Sequence, residues 1–439
     1  MSALNATHDP NRRSWVETAN AREAAFPVQN LPFGIFRRKT GGENARAGTA
    51  IGDQIFDLAG ARRAGLIDGR AADVCSEPTL NRLMAMAPAD WTRLRQQIAD
   101  CLATDGERAD DCRRRAAELL VPIADATLEL PAEIGDFSDF FTSIYHATNA
   151  GTMFRPDSPL MPNFKYVPTA YHSRASSIVV SGAPVRRPNG QAIDPGAAVP
   201  RFGPARLLDY ECELGFFIGA GNRLSEPIPI GRAAEHIFGF CLLNDWSARD
   251  IQGWEGQPLG PFLGKSFSTT ISPWIVTSEA LAPFRCPAFA RAAGDPAPLP
   301  HLASTDDAAH GGLDIVMEVW LQTARMRQEG AAPVRLTQSN ANDCYWTVAQ
   351  MVAHHTSNGC NLRPGDLCGS GTVSGKDKGS YGCMLELTWR GTQPISLPNG
   401  ETRQFLEDGD ELALRAHCAR AGAVSIGFGE CRGIVEPAR

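Results

Sequence analysis

Apolar and polar positions change period along the chain, and the changes divide it into two regions. Residues 1–24 are mostly polar and predict a loosely ordered start. Short apolar runs at 30–37, 47–51 and 54–58, broken by Gly and Asp, predict strands, and Ile51-Gly-Asp-Gln reads as a hairpin turn. Between 60 and 120 the period turns helical. Trp91, Leu94, Ile98 and Leu102 predict one amphipathic helix, and Ala116, Leu119 and Leu120 a second; both stripes read as packing. Residues 121–131 read as a linker. From Ala132 onward Gly, Pro and short β runs dominate. The expected units are 1–125, a small β domain with appended helices, and 132–439, a larger, mostly β domain.

The second region carries its polar residues in dense blocks. Residues 210–218 predict a strand on which Glu211 and Glu213 share a face, roughly 7 Å apart. Two carboxylates there repel and cost desolvation, so the strand is either an edge with its Glu face in water or the wall of a cation site. Asp139 and His146 lie seven apart, two helical turns and one face; a cap and a structural histidine are the plain alternative. Residues 233–240 predict a helix. Asp245 is placed as the N-cap of another, which sets Arg249 and Gln252 on one face. Lys265 sits alone among apolar and glycine residues, in a cleft or snorkelling to solvent. Residues 313–324 alternate like a strand, 342–357 read as a helix with His354 and His355 toward a core or interface, and Glu386 falls within an apolar strand.

Composition narrows the chemistry. At 439 residues and 43% hydrophobic, the chain is long enough for two or three domains with a large core. A net charge of -7 with scattered basic residues argues against nucleic acid, and no apolar run reaches membrane-spanning length. The polar N-terminus lacks a signal-peptide core, and 12 dispersed cysteines without Cys-x-x-Cys predict reduced thiols in a cytoplasmic protein. Asp139, Glu211, Glu213 and Asp245 form an all-oxygen ligand set that suits Mg²⁺, Ca²⁺ or Mn²⁺ and calls for no organic cofactor. With His146 as base, Glu386 as its orienting acid, and Arg249, Gln252 and Lys265 as donors, the residues equip metal-assisted attack of water on a carbonyl.

Long ordered motifs carry a resemblance: His146-Ala-Thr-Asn, Met153-Phe-Arg, Tyr171-His-Ser-Arg-Ala-Ser-Ser, Leu207-Leu-Asp-Tyr-Glu-Cys-Glu, Asn244-Asp-Trp-Ser-Ala-Arg-Asp-Ile-Gln, Pro258-Leu-Gly-Pro-Phe-Leu-Gly-Lys-Ser-Phe and Asn358-Gly-Cys-Asn-Leu-Arg-Pro-Gly-Asp-Leu. Over nearly its whole length the chain resembles the two-domain fumarylacetoacetate hydrolase family. The resemblance implies an N-terminal SH3-like β-barrel, a C-terminal mixed β-roll and a homodimer. It also implies hydrolysis of the carbon–carbon bond of 4-fumarylacetoacetate to fumarate and acetoacetate, the last step of tyrosine and phenylalanine catabolism. Carried over by motif, Asp139, Glu211, Glu213 and Asp245 correspond to the metal ligands, and Lys265 and Thr269 fall near a second cation position. His146 corresponds to the base with Glu386 as partner, Arg249, Gln252 and Lys265 to the oxyanion donors, and Arg155, Tyr171, Gln252 and Thr372 to substrate contacts. Phe141 and Gly256 stand where the family has substrate-contacting tyrosines, so hydrolysis of another acylpyruvate or β-diketo acid is the alternative within the fold. A hydratase, isomerase or decarboxylase of 2-oxo acids fits the full-length N-terminal region and the His146/Glu386 pair less well. A non-catalytic relative should have lost ligands or base, and none is missing.

Overall fold

The computed structural model describes residues 4–439, so the first three residues of the polar start lie outside it. The N-terminal region is built on a five-stranded antiparallel sheet, ordered Leu120–Pro122, Gln54–Asp57, Arg46–Ile51, Phe33–Arg38 and Ala126–Glu129. The hairpin forms as expected, with Ile51 opposite Gln54. The expected linker does not: its residues supply both outer strands, because Val121 and Ala126 bury against Phe36, Ile55 and Trp274. Helix Pro88–Leu102 buries Trp91, Leu94, Ile98 and Leu102, the stripe its spacing predicts. The second helix, Ala116–Leu119, stops where Leu120 joins the sheet. From Leu4 on, the polar start is ordered rather than loose. Turns at Ala6–His8 and Glu17–Asn20 are tied down by Ser14 Oγ donating to the Leu102 carbonyl (2.7 Å) and by buried Arg95, whose Nε donates to Thr7 Oγ1 (2.9 Å).

The C-terminal region holds an eight-stranded mixed sheet. Its order is Ala170–His172, Phe137–Phe140, Leu367–Gly369, Cys212–Ile218, Ile237–Asp245, Thr269–Ile271 and Ile178–Val180, with Val276–Thr277 also on Ile237–Asp245. A second sheet runs Val334–Asn340, Val316–Gln322, Glu411–Cys418, Ile426–Glu436 and Val185–Arg186. The expected helix at 233–240 is instead a single turn, Ile230–Ala233, leading through Ala234–His236 into the strand Ile237–Asp245.

The eight-stranded sheet is covered on both faces. Leu214, Phe216, Phe240 and Leu242 pack with Met317, Val319, Leu412 and Leu414 of the second sheet. Phe137, Phe217, Phe238, Leu243, Ile271 and Leu367 face the other way, into Phe33, Ile35, Trp91 and Leu94 of the N-terminal region. This two-sided burial makes Cys212–Ile218 buried at every position and central in its sheet, which rules out the solvated-edge reading. All 12 cysteines are free. No described helix is long and apolar enough to cross a membrane.

Phe238 joins the two regions: its ring meets Trp91 edge-on at 5.1 Å and lies 6.0 Å from Phe33. Phe238→Ala should destabilise the protein by about 3–5 kcal/mol in denaturant titration. A loss below about 1 kcal/mol would mean that the shared core does not hold the regions together.

Candidate active site

Side chains alternate along a strand, so residues two apart share a face. Starting from the face that packs on the N-terminal region, Phe137 leads to Asp139, Leu367 to Gly369, Leu243 to Asp245 and Ile271 back to Thr269. Phe217 leads back through Gly215 to Glu213 and Glu211. One face of the sheet is thus apolar at one end and acidic at the other. Register aligns the acidic end: Gly369 and Tyr171 lie opposite Asp139, and Thr269 opposite Asp245. Carboxylate oxygens of Asp139, Glu211, Glu213 and Asp245 all lie within 4.8 Å of one another, and all four residues are buried.

Two cations answer them. Lys265 Nζ donates to Glu211 Oε2 (2.7 Å) and Asp245 Oδ2 (2.6 Å). Arg249 Nη1 donates to Glu211 Oε1 (2.7 Å) and Gln252 Oε1 (3.2 Å), while its Nε donates to Asp209 Oδ2 (2.8 Å). Tyr171 donates to Asp245 Oδ2 (2.7 Å), Thr269 Oγ1 to Asp245 Oδ1 (3.2 Å), and the Gly371 amide to Glu213 Oε2 (3.0 Å). The acids therefore separate by neighbour. Burial pushes Glu211 up, but Lys265 and Arg249 outweigh it and hold the carboxyl below its usual range. Asp139 has burial and then the negative charge of Asp245 against it and is raised well above that range. Glu213 is raised too, by burial and then by Asp139 and Glu211. For Lys265, burial disfavours the ammonium, but Asp245 and Glu211 prevail and its pKa is raised.

The cluster fits a hard divalent cation. Every ligand is oxygen, and Asp139 Oδ1 and Glu213 Oε1 are buried without a hydrogen-bond partner among the described residues. A Cβ on Gly369 would come 2.5 Å from Asp139 Oδ1 and 2.7 Å from Glu213 Oε2, so a residue without a side chain is needed beneath them. Lys265 is the exception among the expected metal positions: an ammonium has donors and no lone pair, so its side chain is the counter-charge of the cluster and not a ligand.

Beside the acids, helix Ile144–Phe154 presents His146. Ser143 caps this helix by accepting the His146 amide (3.2 Å). Asp139 lies on the strand before the cap, so the expectation that it shares a helical face with His146 is corrected. His146 Nδ1 and Glu386 Oε2 are 2.6 Å apart. Glu386 also accepts from Asn149 Nδ2 (2.8 Å), Ser374 Oγ (2.7 Å) and Cys383 Sγ (3.2 Å). Burial raises the Glu386 pKa, but the attraction of His146 and these hydrogen bonds outweigh it, and the carboxyl stays ionised. Glu386 belongs to a one-turn helix, Met384–Leu387, and not to a strand. Asp245 ends a strand and caps nothing; helix Arg249–Glu255 starts four residues later without a side-chain cap, yet Arg249 and Gln252 share a face as their spacing predicts.

A cleft of about 780 Å³ opens over these groups, lined by Asp139, Phe141, His146, Arg155, Tyr171, Glu211, Arg249, Gln252, Gly256, Lys265 and Thr372 among others. Glu213, Asp245, Thr269 and Glu386 lie behind its wall. Arg249 Nη2 and Thr372 Oγ1 are buried without partners among the described residues, which leaves two polar groups for a bound molecule. Phe141 sets its ring edge-on to His146 at 5.3 Å. Asn149, Ser374 and Asp209 complete the hydrogen bonding and were not picked out from the sequence; Asn149 had a signal there, since it follows His146 by three helical positions.

The family profile of the fumarylacetoacetate (FAA) hydrolase C-terminal region matches residues 142–436, and that of the fumarylacetoacetase N-terminal region matches 29–131. The chain is 48% identical over 421 residues to the fumarylacetoacetase of Bos taurus, covering 95% of this chain and 98% of that protein. It is 47% identical to those of Homo sapiens over 421 residues (95% and 98%) and Oryza sativa subsp. japonica over 432 residues (97% and 97%).

Two outcomes follow from the cluster. Gly369→Ala should weaken Mn²⁺ binding in calorimetric titration at least tenfold, about 1.4 kcal/mol, by displacing two ligands; unchanged affinity would refute the cradle. The raised pKa values of Asp139 and Glu213 make the metal-free fold lose stability as pH climbs from the ordinary carboxylate range, about 4, through their folded values. A divalent cation relieves that cost, so the thermal shift it produces should grow between pH 5 and pH 8; a shift independent of pH would count against this site.

Proposed function

The chain belongs to the fumarylacetoacetate hydrolase family, and from that premise we infer that it is a carbon–carbon bond hydrolase that converts 4-fumarylacetoacetate to fumarate and acetoacetate. The observation that carries the reading is 47–48% identity over nearly the whole chain to proteins of that name, together with a cleft lined by His146, Arg249, Gln252 and Lys265 beside the acidic cluster.

In this reading Asp139, Glu211, Glu213 and Asp245 hold a divalent cation, Mg²⁺ or Ca²⁺. When bound, it supplies Lewis-acid stabilisation of charge on the diketone oxygens. The remaining steps belong to side chains. Glu386 holds the Nδ1 proton of His146, which leaves Nε2 as the acceptor toward the cleft. His146 takes a proton from water, and the hydroxide adds to the carbonyl beside the fumaryl group. Arg249, Gln252 and Lys265 are the donors for the oxyanion, and Arg249 Nη2 is buried without a partner among the described residues. Collapse breaks the carbon–carbon bond, releases fumarate and leaves the electron pair on acetoacetate as its enolate; the His146 imidazolium returns the proton. Arg155 lines the cleft, its guanidinium has a single long bond to the Pro159 carbonyl (3.4 Å) among the described residues, and in this reading it receives a substrate carboxylate. Tyr171 and Thr372 contact the substrate between them, beside Phe141 and Gly256. Burial and then Asp245 raise the Tyr171 phenol, which keeps it a donor.

The finer expectations stand with this reading. They are an SH3-like barrel and a mixed β-roll as the two domains, bounded at 125 and 132, a cytoplasmic site of action supported by free thiols, and a homodimer. Val199, Phe202, Leu259 and Phe262, all exposed, support an apolar contact with a second copy.

Steady-state loss of diketone absorbance tests the assignment. Wild type should turn over fumarylacetoacetate only with Mg²⁺ or Ca²⁺ present. His146→Ala should abolish turnover while retaining the fold and cation binding, and Lys265→Met should lower kcat about 10²–10³-fold. A folded, metal-loaded wild type inert on this substrate but active on an acetylpyruvate would move the assignment to another β-diketo acid.

A further inference from the structure

Asp209 is fully buried and lies between the two halves of the site. It ends the two-residue strand Leu208–Asp209, opposite Ser247. Its carboxylate accepts four N–H groups. Oδ1 accepts from the amides of Tyr210 (2.8 Å) and Met384 (2.7 Å), and Oδ2 from the Leu385 amide (3.0 Å) and Arg249 Nε (2.8 Å). On one side, Arg249 turns its remaining edge to Glu211 and Gln252. On the other, Met384 and Leu385 open the one-turn helix whose third residue is Glu386, the partner of His146. The residue precedes Glu211 by two positions in Leu207-Leu-Asp-Tyr-Glu-Cys-Glu, yet neither the metal cluster nor the base uses it.

We propose that Asp209 is a positioning residue that sets Arg249 against Glu211 and, through the Met384 and Leu385 amides, Glu386 against His146, so that oxyanion donor and base keep one geometry. The proposal rests on the roles given above to Arg249 and Glu386. Its chemistry requires a carboxylate. Both oxygens receive N–H donors, so an asparagine in either orientation turns its own NH₂ toward a donor and loses the charge that strengthens all four bonds. Arginine suits the other end, because its Nε and Nη1 belong to one rigid planar group and so fix Asp209 and Glu211 in one relative geometry, which a flexible lysine ammonium does not impose.

The test compares Asp209→Asn, Arg249→Lys and Glu386→Gln, singly and with Asp209→Asn combined with each of the others. Asp209→Asn should lower kcat per folded, cation-loaded molecule about 10²-fold with KM within about threefold of wild type, the size of a lost oxyanion contact. Its pairing with either of the others should be no more than about threefold worse than the poorer single variant, because linked residues are not additive. A wild-type kcat per folded molecule, or losses that multiply, would overturn the proposal. Hydrogen exchange read by mass spectrometry reports the link without altering Asp209. In Arg249→Lys, the amides of Met384 and Leu385 should exchange faster than in wild type, and an unchanged rate overturns the link even if Asp209→Asn does not fold. Full activity in Glu386→Gln or Arg249→Lys would fault the roles instead, while the exchange rates still decide on Asp209.

Discussion

Asp139, Glu211, Glu213 and Asp245 crowd one end of a sheet face, Asp209 joins them through Arg249, and Lys265 and Arg249 are the only cations bonded to these five among the described residues. Unpaired buried charge costs several kcal/mol per ion, so this end of the sheet must be held together by the rest of the fold or neutralised by a cation. Both answers are built in. The strands that carry the acids are clamped between two apolar layers, and Asp139 Oδ1 and Glu213 Oε1 stay without a hydrogen-bond partner among the described residues. The N-terminal region takes part in this: its helix Pro88–Leu102 and first strand cover the apolar half of the same face.

The charge is also distributed unevenly, and that unevenness separates tasks. Glu211 has both cations and stays ionised, whereas Asp139 and Glu213 have acidic neighbours and hold protons tightly unless a cation displaces them. His146 and Glu386 form a second, self-contained pair on other elements, stabilised by Asn149 and Ser374. The acids sit at the end of a sheet and the pair between two helices, close enough that His146 adds to the attraction that keeps Glu211 ionised.

Three of the expectations that failed share a cause. Residues 233–240, the surroundings of Glu386 and 121–131 mislead because short apolar runs fit helix, strand and linker alike until their neighbours are known. Asp245 looks like a cap because it precedes a helix by four residues; cross-strand pairing with Thr269 makes it a strand end instead. Nothing local to Phe217 or Phe238 distinguishes the layer each enters.

What the sequence determined by itself was local or compositional. The stripe of Trp91, Leu94, Ile98 and Leu102, the hairpin at Ile51, the shared face of Glu211 and Glu213, the oxygen-only ligand set and the helical pairing of Arg249 with Gln252 all follow from spacing and residue chemistry. The motifs carried the family. Tertiary structure alone decided that Asp139 meets Glu213 across Gly369, that His146 meets Glu386 240 positions away, and that Asp209 faces both halves of the site. A period of two says that side chains alternate. It does not say which strands are neighbours or which face is covered, and those choices are made by pairing and burial between distant segments.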